Sequence, residues 1–260
     1  MESQDRLLAR AAMLAGEIML VSGAEIARIE ETIHYILSGS DRRAQAMVFG
    51  TGIFVSLERE NEEPLTMIRR VTQRSTNLNR ICLVNQVSRQ MCNGEMAAEE
   101  ALTRLEQIQN ASQYSLNAKS FSYVGMACFF GIVLGGGPWD CLAAALVGAS
   151  LGLVIYISAR IRLNAFCTNA LGAFACAMTA LLLGQFILPQ SSSDIVIISS
   201  IMPLVPGVIF TTAVRDTLNG DYSSGVARML EAVVTALAVA AGVGAGMALF
   251  GYVTGGGTLW

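Results

Sequence analysis

Hydrophobic positions divide the chain into a mixed N-terminal part and a strongly apolar C-terminal part. In residues 1–118, apolar side chains recur at helical or alternating spacing between polar ones, the pattern of half-buried helices and strands. From Lys119 onward they form runs of about 20 residues, the length a helix needs to cross a bilayer. The pattern predicts an N-terminal α/β domain, residues 1–118, followed by a transmembrane domain, residues 119–260.

The N-terminal domain is predicted to contain helices on both sides of a small set of strands. Apolar residues recur at helical spacing in the segments taken as helices, whereas the strands are rich in β-branched and aromatic residues around glycine turns. The predicted helices are Asp5 to Val21, Ala24 to Leu37, Ser75 to Cys92 and Glu95 to Gln109; the predicted strands are a hairpin around Gly50-Thr51-Gly52 and the segment Leu65 to Val71.

Five apolar runs in the C-terminal part are predicted to span the membrane as helices. None has a charged residue in its middle, and small-xxx-small pairs at Gly148/Gly152 and Gly242/Gly246 are typical of close helix packing in lipid. The predicted fold is therefore an α-helical integral membrane protein with an N-terminal cytoplasmic α/β domain. The predicted spans are Ser120 to Gly136, Cys141 to Ala159, Thr168 to Leu188, Ile195 to Val214 and Met229 to Phe250.

The few charges of the C-terminal part predict its orientation. Residues 1–118 hold 12 Arg and 15 Asp or Glu, which leaves 5 basic and 5 acidic residues for the rest of the chain. Because loops rich in Lys and Arg stay in the cytoplasm, the basic positions place the N-terminus inside and the C-terminus outside. These positions are Lys119, Arg160, Arg162, Arg215 and Arg228, whereas Asp140 and Asp194 fall in the opposite loops.

The composition and the residue types disfavour several classes of function for this chain. The chain is 53% hydrophobic and 14% charged, with a mean hydropathy of +0.52, which is typical of a membrane protein. A net charge of −3 without basic clusters disfavours nucleic-acid binding. With His34 as the single histidine and no CxxC pair among the six cysteines, we expect no metal site. We likewise expect no cofactor and no enzymatic activity, since no nucleophile-base set or phosphate-binding loop is visible.

The fourth apolar run contains helix-breaking residues. Pro203 and Pro206 each remove a backbone donor and Gly207 adds flexibility, so the helix is predicted to be kinked or discontinuous near mid-membrane. A half-helix beginning at Gly207 would present free N–H groups to a carboxylate. Thr211 and Thr212 lie one turn further on, where they can bind a polar substrate or bond back to their own helix. A simple packing kink is the alternative.

Two polar clusters are candidates for gating. The stretch "SGAEIARIEETI" places Glu25 and Arg28 at i,i+3, where they can pair on one helix face, with Glu30 nearby. It is interpreted either as a salt-bridged helix start or as a contact between the cytoplasmic domain and an inner gate. Charges that follow the fourth run are open to three interpretations: an inner gate, a proton-coupling carboxylate or solvated loop charges. These are Arg215, Asp216, Asp221, Arg228 and Glu231.

Two stretches, "SGAEIARIEETI" and "PGVIFTTAVRDTLNGDYSSGVARMLEAV", together resemble the bacterial threonine/serine exporter family in its short, split form. The resemblance implies a multi-pass protein of the bacterial inner membrane that exports threonine and serine, driven by the proton gradient. It also implies a separate small membrane subunit of four or five spans, and it leaves oligomer formation open. Succinate or a similar dicarboxylate is the alternative cargo. A membrane-anchored sensor or scaffold that transports nothing is the contrasting class.

Overall fold

Secondary structure is predominantly helical in the computed structural model, which describes residues 4–60, 62–72, 75–111 and 114–255. The elements are α1 (Gln4–Val21), α2 (Ile26–Leu37), β1 (Arg43–Phe49), β2 (Gly52–Glu58), β3 (Leu65–Arg70), α3 (Leu78–Cys92), α4 (Ala98–Asn110), α5 (Leu116–Val133), α6 (Pro138–Arg160), α7 (Ala165–Leu182), α8 (Ser193–Ile201), α9 (Gly207–Leu218) and α10 (Tyr222–Thr254). A π-helical turn, Leu183–Ile187, follows α7, and a 3-10 turn, Met202–Leu204, follows α8.

The chain forms two compact units that do not follow chain order. The first unit comprises Met1–Ala111 and Val208–Leu230, and the second comprises Ser112–Gly207 and Glu231–Trp260. The predicted domain boundary at residue 118 follows the chain, whereas the first unit also contains α9 after Gly207 and the beginning of α10. Folding of the first unit therefore joins segments about 100 residues apart in sequence.

A three-stranded antiparallel sheet with the order β1-β2-β3 lies in the first unit. The β1–β2 hairpin turns at Gly50-Thr51 and pairs Phe49 with Gly52, as the sequence predicts. Alternate residues of β2 point into the core, and Ile53, Val55 and Leu57 are buried. The predicted hairpin, the third strand and the four N-terminal helices are all present as secondary-structure elements.

Helix α1 forms the centre of the first unit's core. It packs against α2, α3, α4 and the sheet, and it is buried on most of its surface. Alanines at positions 9, 11, 12 and 15 let its neighbours approach, while Met13, Met19 and Leu20 fill the space between them. Each such large side chain contributes about 1.5–3 kcal/mol through burial. This core holds α2 in place at the candidate site.

Helix α9 ends in a Schellman motif that sets the direction of α10. Asp221 N–H donates to the Asp216 carbonyl and Gly220 N–H to the Thr217 carbonyl, with Gly220 in the left-handed region at a φ of +93°. At Gly225, an added Cβ would collide with the Thr217 hydroxyl oxygen. The glycines of "LNGDYSSG" therefore permit a tight α9–α10 corner.

The second unit packs α5, α6, α7 and α8 against one another and includes the C-terminal part of α10. A Cβ at Gly148 would lie 2.7 Å from the Tyr123 carbonyl oxygen of α5, and one at Gly242 would collide with the Ala170 carbonyl of α7. Gly152 and Gly246 meet the same two helices one turn further on. The packing role predicted for both small-xxx-small pairs is therefore confirmed.

Three of the described helices are long and apolar enough to cross a membrane: α6, α7 with its π-helical turn, and α10. The count becomes four if Ser193–Leu204 and Gly207–Leu218 form one bent span. Large apolar side chains of the second unit are highly exposed, including Phe121 at 76% and Val133 at 77%. Such continuous apolar exposure is expected for helices that face lipid. The chain is thus a multi-pass membrane protein, while the five-span count stays a prediction.

The predicted interruption of the fourth apolar run is confirmed. Helix α8 ends at Ile201, Pro203 lies in the 3-10 turn, and α9 begins again at Gly207, with a bend of 54° between the two helical segments. Pro206 lacks the N–H that would continue the helix. Residues 208–214 of the predicted span belong to the first unit, because α9 carries polar residues that bond to α2 there.

Candidate functional site

The N-terminus of α2 is capped by a carboxylate from a distant part of the chain. Glu25 occupies the N-cap position, but its own side chain makes no capping hydrogen bond. Instead, Ile26 N–H donates to Asp216 Oδ1 of α9 at 3.0 Å. Asp216 is fully buried, and its negative charge faces the positive end of the α2 dipole. One side chain therefore joins the two stretches that carry the family resemblance.

Arg228 of α10 completes this junction. Its Nε lies 3.3 Å from Asp216 Oδ2, and its Nη2 donates to the Ala24 carbonyl oxygen at 2.7 Å. Only 4% of Arg228 is exposed. A buried carboxylate needs a nearby cation to stay charged, and Arg228 supplies it while also bonding the backbone just before α2. We call the set Ala24, Ile26, Asp216 and Arg228 the buried junction.

A second ion pair lies beside the buried junction and is more exposed. Arg215 Nη1 lies 2.6 Å from Glu25 Oε1, with side-chain exposures of 66% and 25%. The sequence predicted that Glu25 could pair with Arg28 at i,i+3; the structure gives Glu25 the partner Arg215. The cause is local backbone geometry, since Glu25 has an extended ψ of 143° and does not belong to the first helical turn.

Glu30 lies further along α2 than Glu25 and links this helix to strand β1. Its Oε1 accepts a hydrogen bond from Val48 N–H at 2.9 Å. Burial raises the pKa of the Glu30 carboxyl above its ordinary value of 4.5, and the negative charge of Asp221 raises it further, against the opposing effects of the Val48 hydrogen bond and His34. Asp221 and Glu30, both predicted as site residues, therefore influence each other electrostatically.

Glu30→Gln is expected to raise the thermal unfolding midpoint at neutral pH. Because its pKa is raised in the folded state, Glu30 holds its proton more tightly in the folded protein than in the unfolded chain. Its contribution to stability is therefore complete below pH 4.5 and is lost as the pH rises through the pKa of the folded state. Glutamine keeps an acceptor for Val48 N–H and removes the charge. The gain should disappear below about pH 4, where Glu30 is protonated in both states. Lower stability of the variant at neutral pH would contradict this assignment.

A small cleft lies next to the buried junction. Its volume is about 300 Å³, and we call it the α2–α9 cleft. Polar groups enter it from both helices, and α3 closes the opposite side with mainly apolar residues. The polar residues are Glu25 and Arg28 near the start of α2 and Thr211, Thr212 and Arg215 on α9; the α3 residues are Leu78, Ile81 and Cys82.

The two threonine hydroxyls are oriented by their own helix. Thr211 Oγ1 and Thr212 Oγ1 both donate to the Val208 carbonyl oxygen, at 3.0 and 2.7 Å. With their protons engaged, the hydroxyl oxygens of exposed Thr211 and buried Thr212 have only acceptor capacity left. They suit an ammonium or hydroxyl donor, whereas Arg28 and Arg215 suit a carboxylate. The cleft thus offers complementary groups for both ends of a zwitterion.

The remaining predicted residues lie elsewhere. The α2–α9 cleft is not lined by Pro203, Pro206 or Gly207, and neither is a larger cleft between α2 and α3. A Cβ added at Gly207 would meet no described atom within 4 Å, so close packing does not require glycine there. Glu231 belongs to the second unit. Among the described residues, no group of three His, Cys, Asp or Glu side chains could hold a metal ion.

Sequence reasoning did not identify several contributors to the site. The Ala24 carbonyl and the Ile26 N–H are backbone groups, which sequence patterns do not single out. In the sequence, Leu78, Ile81 and Cys82 fit the pattern of an ordinary amphipathic helix. The exposure of Leu78 and Cys82 is a weak indication that this helix lines a cleft. Their assignment depends on tertiary packing.

Apolar helices with lipid-type exposure, one of them interrupted, define the chain as a multi-pass membrane protein. Sequence comparison identifies the family: residues 10–250 match the ThrE family, described as "Putative threonine/serine exporter". The chain belongs to this family. No solved structure matches the chain significantly.

Curated relatives are distant and longer. The chain is 25% identical over 202 residues to the threonine/serine exporter of Corynebacterium glutamicum, covering 76% of this chain and 41% of that protein. It is 20% identical over 230 residues to a "Probable threonine/serine exporter" of Mycobacterium tuberculosis, covering 87% and 43%. An uncharacterized protein of Schizosaccharomyces pombe is 25% identical over 247 residues, covering 91% and 29%. The chain spans less than half the length of these relatives.

Proposed function

We propose that this chain is one subunit of a secondary exporter of small carboxylate-bearing metabolites, with threonine and serine as its cargo. Family membership supports an exporter role. The relatives named as exporters are more than twice as long as the matched region. The proposed partner is a separate membrane subunit of four or five spans, and the proposed location is the bacterial inner membrane, with the N-terminus inside and the C-terminus outside.

The α2–α9 cleft is the observation that carries this proposal. It brings the polar residues of both family-like stretches to one place. Arg28 is available for a carboxylate, Arg215 could bind one by exchanging its partner Glu25, and the two threonine hydroxyl oxygens could accept from an ammonium or hydroxyl group. A volume of about 300 Å³ lies at the small end of ligand pockets, which suits an amino acid. We propose that cargo contacts this cleft on its way to the interrupted helix at Pro203 and Pro206.

Two features of the mechanism are also proposals. The proton gradient would drive export, with Asp216, Asp221 or Glu231 as the carboxylate that couples proton movement to the cycle. Succinate is the alternative cargo, because the cleft contains two arginines and a dicarboxylate has two acidic groups. A sensor or scaffold that transports nothing remains the contrasting class; it predicts that residues 1–118 function when fused to an unrelated anchor.

Flux into inverted membrane vesicles tests the proposed function. Vesicles that contain this chain and its partner subunit should accumulate labelled threonine when a proton gradient is imposed, and a collapsed gradient should remove the signal. Thr212→Val keeps the shape of the side chain and removes one hydroxyl acceptor. It should weaken apparent affinity for threonine by about threefold to tenfold, corresponding to roughly 0.5–1.5 kcal/mol for one hydrogen bond.

The same assay separates the alternatives. Labelled succinate in place of threonine identifies a dicarboxylate exporter, and omission of the partner shows whether this chain transports alone. Val208→Ala is a matched control, since Val208 lines the cleft without a polar side-chain group. Flux of neither compound above that of vesicles lacking the protein would contradict the exporter assignment for both.

A further inference from the structure

A second, larger cleft lies between α2 and α3 in the first unit. It has a volume of about 750 Å³, and we call it the α2–α3 cleft. Residues at matching intervals line its two walls: Arg28, Thr32 and Tyr35 on α2, and Asn85, Arg89 and Cys92 on α3. Both sets follow the i, i+4, i+7 spacing that places residues on one helix face. Each helix therefore presents a stripe of mainly polar residues to the cleft. Apolar residues at these positions would instead pack together and close the space between α2 and α3.

Each stripe contains one arginine without an ion-pair partner among the described residues. In the part of the chain that the structure describes, neither the Arg28 guanidinium nor the Arg89 guanidinium has a hydrogen bond or an ion pair. Glu25, which lines the same cleft, pairs with Arg215. Glu31 accepts a hydrogen bond from the neutral Tyr35 hydroxyl at 3.0 Å and keeps its negative charge, so the two arginines face one unpaired carboxylate in the lining. Two arginines that outnumber the unpaired carboxylate on one concave surface are a typical arrangement for binding an anion.

Asn85 adds an unused donor between the two arginines. Its Nδ2 is buried and has no hydrogen-bond partner among the described residues, while its Oδ1 has a long contact of 3.4 Å with Thr32 Oγ1. A buried amide group without an acceptor destabilises the folded protein, because it loses its hydrogen bonds to water without replacing them. An oxygen atom of a ligand in the cleft would remove that destabilisation after a small rotation of the Asn85 side chain.

We propose that the α2–α3 cleft is a binding site for a small metabolite that it recognises by a carboxylate group. Arg28 and Arg89 provide the cationic contacts and Asn85 provides a neutral donor. The site is separate from the α2–α9 cleft, although Glu25 and Arg28 line both. Occupancy would draw Arg28 away from the α2–α9 cleft, so the ligand is placed to regulate transport from the cytoplasmic side.

Two native cysteines allow each cleft to be observed separately. Cys92 lines the α2–α3 cleft, Cys82 lines the α2–α9 cleft, and both thiols are free and exposed. The experiment measures N-ethylmaleimide alkylation of both thiols in the full-length, detergent-purified protein by peptide mass spectrometry. L-threonine, succinate and inorganic phosphate are titrated in separate arms. A carboxylate ligand should slow alkylation of Cys92 in a saturable way.

Two arginine variants test whether Arg89 of α3 carries the binding. Arg89→Gln should raise the half-protective concentration about tenfold to a hundredfold, the effect expected when a charge-assisted hydrogen bond is lost. Arg104→Gln is the matched control, since Arg104 is an exposed arginine of α4 that contacts Gln107 and lies outside both clefts. Its protection curve should equal that of the parent. Thermal unfolding verifies that both variants fold.

The three arms distinguish the ligands. Protection by threonine alone identifies an amino acid site, protection by succinate alone identifies a dicarboxylate site, and protection by both supports recognition of the shared carboxylate. Phosphate that protects as well as the carboxylates, equal shifts for Arg89→Gln and Arg104→Gln, or an unchanged Cys92 rate in all arms would overturn the proposal. Alkylation requires no transport, so this result and the vesicle flux can fail independently.

Discussion

Asp216→Ala is expected to destabilise the first unit by about 3–5 kcal/mol, the cost of removing one partner from a buried ion pair. The substitution leaves the Arg228 guanidinium without the carboxylate 3.3 Å away and the Ile26 N–H without its acceptor. Both groups lie in a region where water cannot replace the lost partner, since Asp216 is fully buried. Thermal unfolding and limited proteolysis of the purified protein measure the effect.

A second aspartate-arginine pair in the same unit provides the control. Asp41 lies 3.6 Å from Arg59, but its side chain is 94% exposed. An exposed pair contributes about 0–1 kcal/mol, so Asp41→Ala should leave the unfolding midpoint nearly unchanged. Asp216→Asn should fall between the two, because an amide oxygen can still cap α2. Equal effects of Asp216→Ala and Asp41→Ala would show that the buried junction does not hold α9 against α2.

Local structure was largely predictable from the sequence because it depends on neighbouring residues. The spacing of Leu7, Leu8, Ala11 and Leu14 predicted α1, and glycines between β-branched residues predicted the β1–β2 hairpin. The starts of α2, α3 and α4 were predicted two or three residues too early. Gly23, with a φ of +83°, and the extended Glu25 delay α2, and the Asn77 side chain caps α3 after an extended lead.

Long-range features could not be predicted from spacing. Asp216 and Ile26 are 190 positions apart, and the pattern around Asp216 is equally consistent with a gate, a coupling carboxylate or a solvated loop. The burial of Asp216 and its contact with Arg228 depend on packing that the local pattern does not encode. The expected Glu25–Arg28 pair failed for a related reason, because i,i+3 geometry applies only when both residues lie within the helix.

Reversing the charge of either Glu25 or Arg215 is expected to abolish export, and reversing both together is expected to restore it. Glu25→Arg places two cations where Glu25 Oε1 and Arg215 Nη1 now lie 2.6 Å apart, so repulsion would separate the start of α2 from α9. Arg215→Glu does the same with two anions. The pair is partly exposed and contributes about 0–1 kcal/mol to stability, so both single variants should still fold and insert.

Threonine flux in inverted vesicles, normalised to the amount of inserted protein, measures each single variant and the double variant Glu25→Arg/Arg215→Glu. The double variant should recover a substantial part of parental flux, since the attraction between α2 and α9 returns with its sign exchanged. Arg28→Glu adds a comparison within the same cleft. Arg28 has no ion-pair partner among the described residues, so its reversal should abolish flux without rescue by any single change at position 215.

The pattern across these variants separates two roles for the α2–α9 cleft. If the Glu25–Arg215 pair acts by holding α2 against α9 during the transport cycle, only the relative sign of the two charges matters, and the double variant is active. If Arg215 instead contacts the cargo carboxylate, the double variant places Glu at that position and repels the cargo, so flux stays lost although α2 and α9 remain paired. Parental flux in both single variants would contradict both roles and would leave the pair as a surface contact.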